Sequence, residues 1–152
     1  MENKRQADGF VRIAAATPPV RVADCPYNTE EMYRMIAEAA ENGAAVIVFP
    51  ELSVTGYTCG DLFKDRKLME SAEASLWALI ERTKDLNILC AVGIPVPSGG
   101  ALYNCAAMFC RDKLLALPAK QNIPNYSEFY EARHFSPAVS YTHLRAHETR
   151  RH

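Results

Sequence analysis

The stretch VIVFPELSVTGYTCGDLF, from Val46 to Phe63, changes character halfway along, and that change decides how the chain is read. Val46 to Phe49 is an unbroken apolar run, the pattern of a short strand buried on both faces. Pro50 has no N–H to give to a ladder, so the strand ends there and Glu51 follows at once. A carboxylate leaving a buried strand is costly unless a partner neutralises it or a reaction uses it. Glu51 is therefore the first candidate for chemistry.

Upstream, Phe10 to Ala16 reads as a first strand closed by Pro18 and Pro19. A helix follows, with Asn28 as the expected cap and Glu31 as its capping-box partner. Met32, Met35, Ile36, Ala39 and Ala40 fall on one face, and Gly43 is placed to end the helix in the left-handed conformation. With the strand Ala44 to Phe49 this makes a βαβ unit and a parallel pair. Downstream, Leu68 to Lys84 carries helical spacing, and Trp77 within it reads as a packing residue. Asn87 to Ile94 is a third strand, and PVPSGG after it carries turn signals. Ala101 to Cys110 and Leu114 to Leu117 form a hairpin turned at Arg111 and Asp112. Such a hairpin converts a parallel start into a mixed sheet.

Composition narrows the function classes. A chain of 152 residues, 49% hydrophobic, is one domain with material for a core. Seventeen basic against 18 acidic residues give no field for a nucleic acid or an anionic membrane surface. Five cysteines without CxxC spacing suit a reduced, cytoplasmic protein with no structural metal. No apolar run is long enough to cross a bilayer, and residues 1–9 read as a disordered lead-in. Residues 139–152, VSYTHLRAHETRRH, hold three of the four histidines and three arginines. They read as a non-native, disordered tail of translated adapter or vector sequence. His143 and His147 lack a third ligand, so no metal site is expected there.

A second charge leaves an apolar neighbourhood at LPAK, where Lys120 follows the hairpin. If the two strands adjoin, Glu51 and Lys120 meet at one rim of the sheet, either as a structural ion pair or as reacting groups. The segments FPELSVTGYTCGDLF and KQNIPNYSEFYEARHF together resemble the carbon-nitrogen hydrolase (nitrilase) superfamily. More narrowly they look like the glutaminase domains of bacterial glutamine-dependent NAD⁺ synthetases, over residues 10–138. The resemblance implies an α/β fold, the αββα sandwich with mixed sheets, of which these residues form the first half. It implies attack of a cysteine thiolate on the amide of glutamine, Glu51 as general base and Lys120 as oxyanion stabiliser. Glu128 is implied as a second carboxylate, with Glu131 in competition, and Tyr57 and Tyr126 as lining for the glutamine pocket.

The family's nucleophile belongs downstream of the lysine loop, and no cysteine follows Cys110. Cys59 stands close to Glu51 but in the loop, where the family does not place its nucleophile, and reads as structural. The resemblance therefore implies an inactive N-terminal fragment that holds no cofactor. ATP, Mg²⁺ and deamido-NAD⁺ would belong to a synthetase domain elsewhere in a parent enzyme, which is expected to be a homo-oligomer. The rivals are a fragment of a stand-alone amidase or nitrilase, and a non-catalytic binding module of the same fold. Half a two-sheet sandwich is also expected to leave one apolar face uncovered, giving an aggregation-prone or molten chain.

Overall fold

A computed structural model describes residues 9–138. The tail at 139–152 and all of the lead-in except Gly9, an exposed turn residue, lie outside the described residues. Five strands form one mixed sheet in sequence order. They are β1 (Ile13–Ala15), β2 (Val46–Val48), β3 (Leu89–Ser98), β4 (Ala101–Cys110) and β5 (Lys113–Ala116), with α1 (Cys25–Glu41) and α2 (Arg66–Arg82) as the crossovers. β1, β2 and β3 run parallel, whereas β3, β4 and β5 are antiparallel neighbours. Crossovers between parallel strands of one sheet are as a rule right-handed, and two that step in one direction place both helices on the same face of the sheet. There α1 packs against α2, and α2 against β3.

The alternation of side chains follows from that arrangement. Ile47, Cys90, Val92, Ile94, Cys105, Ala107 and Phe109 are buried together with Met32 and Ile36 of α1 and Leu76, Leu79 and Ile80 of α2. The opposite parity, including Ile13 and Val48, faces away from the helices, and Ile13 is 72% and Val48 48% exposed. Leu115 of β5 is also exposed. One α layer on one β layer is thus present, half of an αββα sandwich. Among the described residues no helix is long and apolar enough to cross a membrane.

Three local expectations are corrected. Asp24, not Asn28, caps α1, its side chain accepting from Tyr27 N at 3.2 Å. Asn28 is instead a fully buried clamp inside the helix: Nδ2 donates to Arg21 O and Val54 O, and Oδ1 accepts from Arg21 N. Glu31 pairs with Arg34 rather than closing a capping box. The third correction concerns PVPSGG, where β3 runs on through Pro95 and Pro97 to Ser98 before the turn at Gly99 and Gly100. β2 pairs only with Leu89 to Ala91, and Gly93 turns its N–H and C=O outward, away from β4. Pro95 and Pro97 share that parity, so neither removes a bond from the β3–β4 ladder.

Gly93 also controls the segment after β2. A Cβ there would lie 2.1 Å from Leu52 N and 2.7 Å from both Glu51 C and Pro50 O. Only glycine lets the Glu51 backbone cross β3 this closely. Gly93 then holds it with both main-chain groups, its N–H donating to Ser53 Oγ and its C=O accepting from Val54 N at 3.0 Å. Gly93→Ala must push this loop off the sheet, and we expect a loss of at least about 2 kcal/mol in unfolding free energy. Denaturant titration checks it, and an unchanged midpoint would show that the close crossing is dispensable.

Candidate active site

Glu51 sits at the first position of a tight loop whose next residue, Leu52, is fully buried with φ of +52°. A branched side chain in the left-handed region is strained, so the surroundings must hold it. They do so from three sides: Gly93 as described, Asn28 Nδ2 on Val54 O at 3.0 Å, and Ala23 N on Thr55 O at 2.7 Å. The loop is fixed by buried backbone bonds rather than left to solvent.

Lys120 arrives by a different route. After β5 the chain returns beside β4, with Ala106 N donating to Pro118 O, Ala119 bridging to Cys105, and Lys120 N donating to Asn104 O at 2.8 Å. Beyond it, Ser136 N bonds Leu102 O and Ala138 N bonds Lys120 O, tying the aromatic loop back onto the same strand. Phe135 packs edge-on against Phe63 with ring centroids 4.9 Å apart. That contact joins the lysine loop to the segment following Glu51.

The charged groups meet at Lys120. Its Nζ donates to Glu51 Oε1 at 2.7 Å and to both oxygens of Glu131 at 3.0 Å. Tyr57 Oη donates to Glu131 Oε1 at 2.7 Å, and Asn104 Nδ2 donates to Glu51 Oε1. Glu131 opens the short 3₁₀ turn Glu131–Arg133, and its side chain is only 6% exposed. The second carboxylate on the lysine is therefore Glu131, not Glu128. Glu128 is exposed on the loop, and Tyr126 is also exposed, edge-on to Phe129. Of the residues singled out from sequence, Glu51, Lys120 and Tyr57 come together, and Glu128 and Tyr126 stand apart. Asn104 was missed; the only signal for it was a carboxamide inside the apolar run ALYNCAAMF.

These contacts set the protonation states. Burial pulls the Lys120 ammonium down, but its hydrogen bonds to Glu51 and Glu131 outweigh that and hold it above the ordinary lysine value. It is a fixed cation at neutral pH, suited to stabilising negative charge and not to acting as a base. Burial, reinforced by Glu131 and then Glu51, pushes the Tyr57 hydroxyl far up, so it stays a donor. Both contacts on Glu51 fall on Oε1, which leaves Oε2 without a hydrogen bond among the described residues. Beside this cluster a cleft of about 360 Å³ is lined by Glu51, Lys120, Asn104, Gly93, Val48 and Ala106, among others.

None of the five cysteines completes the set. Cys59 is buried, donates to Thr55 O and Gly56 O, and is raised by burial. Burial pushes Cys90 and Cys105 up to about 12, and Cys25 also upward. No cysteine hydrogen-bonds to Glu51 or Lys120 among the described residues, and buried thiols of this kind are poor nucleophiles.

The pairing predicts a stability signature. Lys120→Met leaves Glu131 buried without its cation and should cost about 3 kcal/mol, most of it recovered in the Lys120→Met/Glu131→Gln double variant. Because the folded value of Lys120 lies above its unfolded value, its contribution is complete below the ordinary lysine range. It fades as pH rises through the folded value. Unfolding free energies measured from about pH 7 upward should therefore show a gap between parent and Lys120→Met that is constant up to the ordinary lysine range and narrows above it. A gap independent of pH would rule the ion pair out as its source.

Comparison with known proteins agrees with this architecture. Residues 12–149 match the carbon-nitrogen hydrolase family. The chain is 34% identical over 129 residues to the glutamine-dependent NAD⁺ synthetase of Mycobacterium tuberculosis, covering 85% of this chain and 19% of that protein. It is 31% identical over 110 residues to the human glutamine-dependent NAD⁺ synthetase, covering 72% of this chain and 16% of that protein. It thus spans about a fifth of the length of these relatives. The crystal structure of a glutamine-dependent NAD⁺ synthetase from Cytophaga hutchinsonii superposes with a TM-score of 0.81 at 27% identity, over 86% of this chain and 22% of that one. An amidase from Nesterenkonia sp. shares the fold at 23% identity and a TM-score of 0.70, over 85% of this chain and 48% of that one. A mixed sheet with helices on one face, carrying Glu51 and Lys120 at the rim, and a family match over most of its length together place this chain in the carbon-nitrogen hydrolase family.

Proposed function

We propose that this chain supplies the acid–base and oxyanion half of a glutaminase site, within a protein that releases ammonia from glutamine for the amidation of deamido-NAD⁺. The observation that carries the reading is the lysine ammonium held between Glu51 and Glu131 beside an open cleft. The relatives named above support the choice of glutamine. A stand-alone amidase has only fold-level likeness in its favour.

In this reading a cysteine that this chain does not itself carry gives its proton to Glu51, and the resulting thiolate attacks the side-chain amide carbon of glutamine. The carbonyl oxygen takes the negative charge beside the Lys120 ammonium. Glu51 returns the proton to the departing nitrogen, which leaves as ammonia. Water, deprotonated by Glu51, then cleaves the thioester to glutamate and free thiol. Glu131 and Tyr57 keep Lys120 in place and charged. ATP and Mg²⁺ act at a separate synthetase site. Lacking a nucleophile, the 152-residue chain alone does not hydrolyse glutamine.

A chimera tests this: residues 10–138 replace the matching stretch of the M. tuberculosis synthetase. Glu51→Gln should lower glutamine-dependent NAD⁺ formation at least about 100-fold, while formation from added ammonium salts stays within about two-fold. Full glutamine-dependent activity in that variant would sink the assignment of Glu51.

A further inference from the structure

We propose that Asn104 is the positioning residue for both reacting groups, an inference that rests on the glutaminase reading. Asn104 lies in the middle of β4, paired with Pro95 of β3, and is 4% exposed. Two independent contacts converge on it. Its side-chain Nδ2 donates to Glu51 Oε1, and its main-chain carbonyl accepts from Lys120 N at 2.8 Å. One strand residue therefore places the base through its side chain and the lysine through its backbone.

The chemistry of the position argues the same way. A carboxamide buried in a central strand is unfavourable unless its donors are met, and here the partner that meets Nδ2 is the carboxylate itself. Glu51 leaves a loop on a flexible side chain and, at 40% exposure, is not held by packing. Two donors on Oε1, one from Lys120 and one from Asn104, fix the plane of the carboxylate and present Oε2. Lys120 alone would leave that plane free to rotate about the ammonium. A base displaced by about 1 Å from its proton loses on the order of 100-fold in rate.

Because the main-chain bond to Lys120 survives any substitution, a side-chain change isolates the effect on Glu51. In the chimera described above, Asn104→Ala should lower kcat for glutamine hydrolysis about 10- to 100-fold with KM within about two-fold. Asn104→Leu, which keeps the bulk without the donor, should do the same. Combined with Glu51→Gln, Asn104→Ala should add less than about two-fold, since the group it positions is gone. A purely structural Asn104 would instead lower activity by the same factor in both backgrounds. Multiplicative losses, or parental kcat in Asn104→Ala and Asn104→Leu, overturn the proposal. Loss of activity in Glu51→Gln with none in the Asn104 variants overturns this inference alone, whereas an active Glu51→Gln overturns the reading it rests on.

Discussion

A buried carboxylate needing its cation is the constraint on which the rest of the site depends. Glu131 is nearly inaccessible, and an ionised carboxylate at that depth costs several kcal/mol unless it is paired and hydrogen-bonded. Lys120 meets both of its oxygens and Tyr57 adds a hydroxyl, so the charge is neutralised on every side that the described residues provide. That requirement pulls three distant segments to one point: the loop after β2, the return after β5 and the turn at residues 131–135. Once they are together, the Phe63–Phe135 contact and the bonds from Ser136 to Leu102 and Ala138 to Lys120 reinforce the closure. The same ammonium then has one donor left for Glu51.

The sheet turns this electrostatic need into a defined geometry. β4 is the common reference, because Glu51 touches its side chain at Asn104 and Lys120 touches its backbone at the same residue. Gly93, on the neighbouring strand and two residues from Pro95, the pair of Asn104, allows the Glu51 backbone to lie directly on β3. Ordinary strand spacing would hold the loop farther off. A side chain at Gly93 and a slack loop at Glu51 are alternatives, and the buried clamp from Asn28 to Val54 closes off the second.

Local pattern was enough to read most of the fold and part of the site. β4 and its turn were legible because an apolar run bounded by Arg111 and Asp112 has few alternatives. The βαβ order was legible because helical and strand periods differ. Glu51 and Lys120 stood out because each charge leaves an apolar segment. What escaped depends on contacts distant in sequence. Nothing near Asn28 shows that its amide reaches Val54, twenty-six positions away, so a capping residue was the natural expectation. Nothing in PVPS shows that both prolines face the unpaired side of β3. Glu128 and Glu131 are equivalent until the 3₁₀ turn directs one inward, and Asn104 acquires meaning only from the loop that crosses above it.

The helix-free face links fold to chemistry. The Glu51 backbone crosses β3 on the side where a Cβ of Gly93 would point, the same parity as Ala91 and Val48, and those residues line the cleft. The Glu51 carboxylate and the Lys120 ammonium therefore stand at the edge of the layer not covered by α1 and α2. Under the proposed reading, the thiol has to approach across that face, because Cys25, Cys59, Cys90 and Cys105 are buried in the core and Cys110 makes no hydrogen bond to Glu51 or Lys120 among the described residues. Covering the apolar side chains of the open face and delivering the nucleophile then become one event. The groups that must be oriented beforehand are already locked on the layer that folds around Glu131. Such a division suits catalysis by preorganisation, since fixed charges that need not rearrange when substrate and thiol arrive act more strongly than mobile ones.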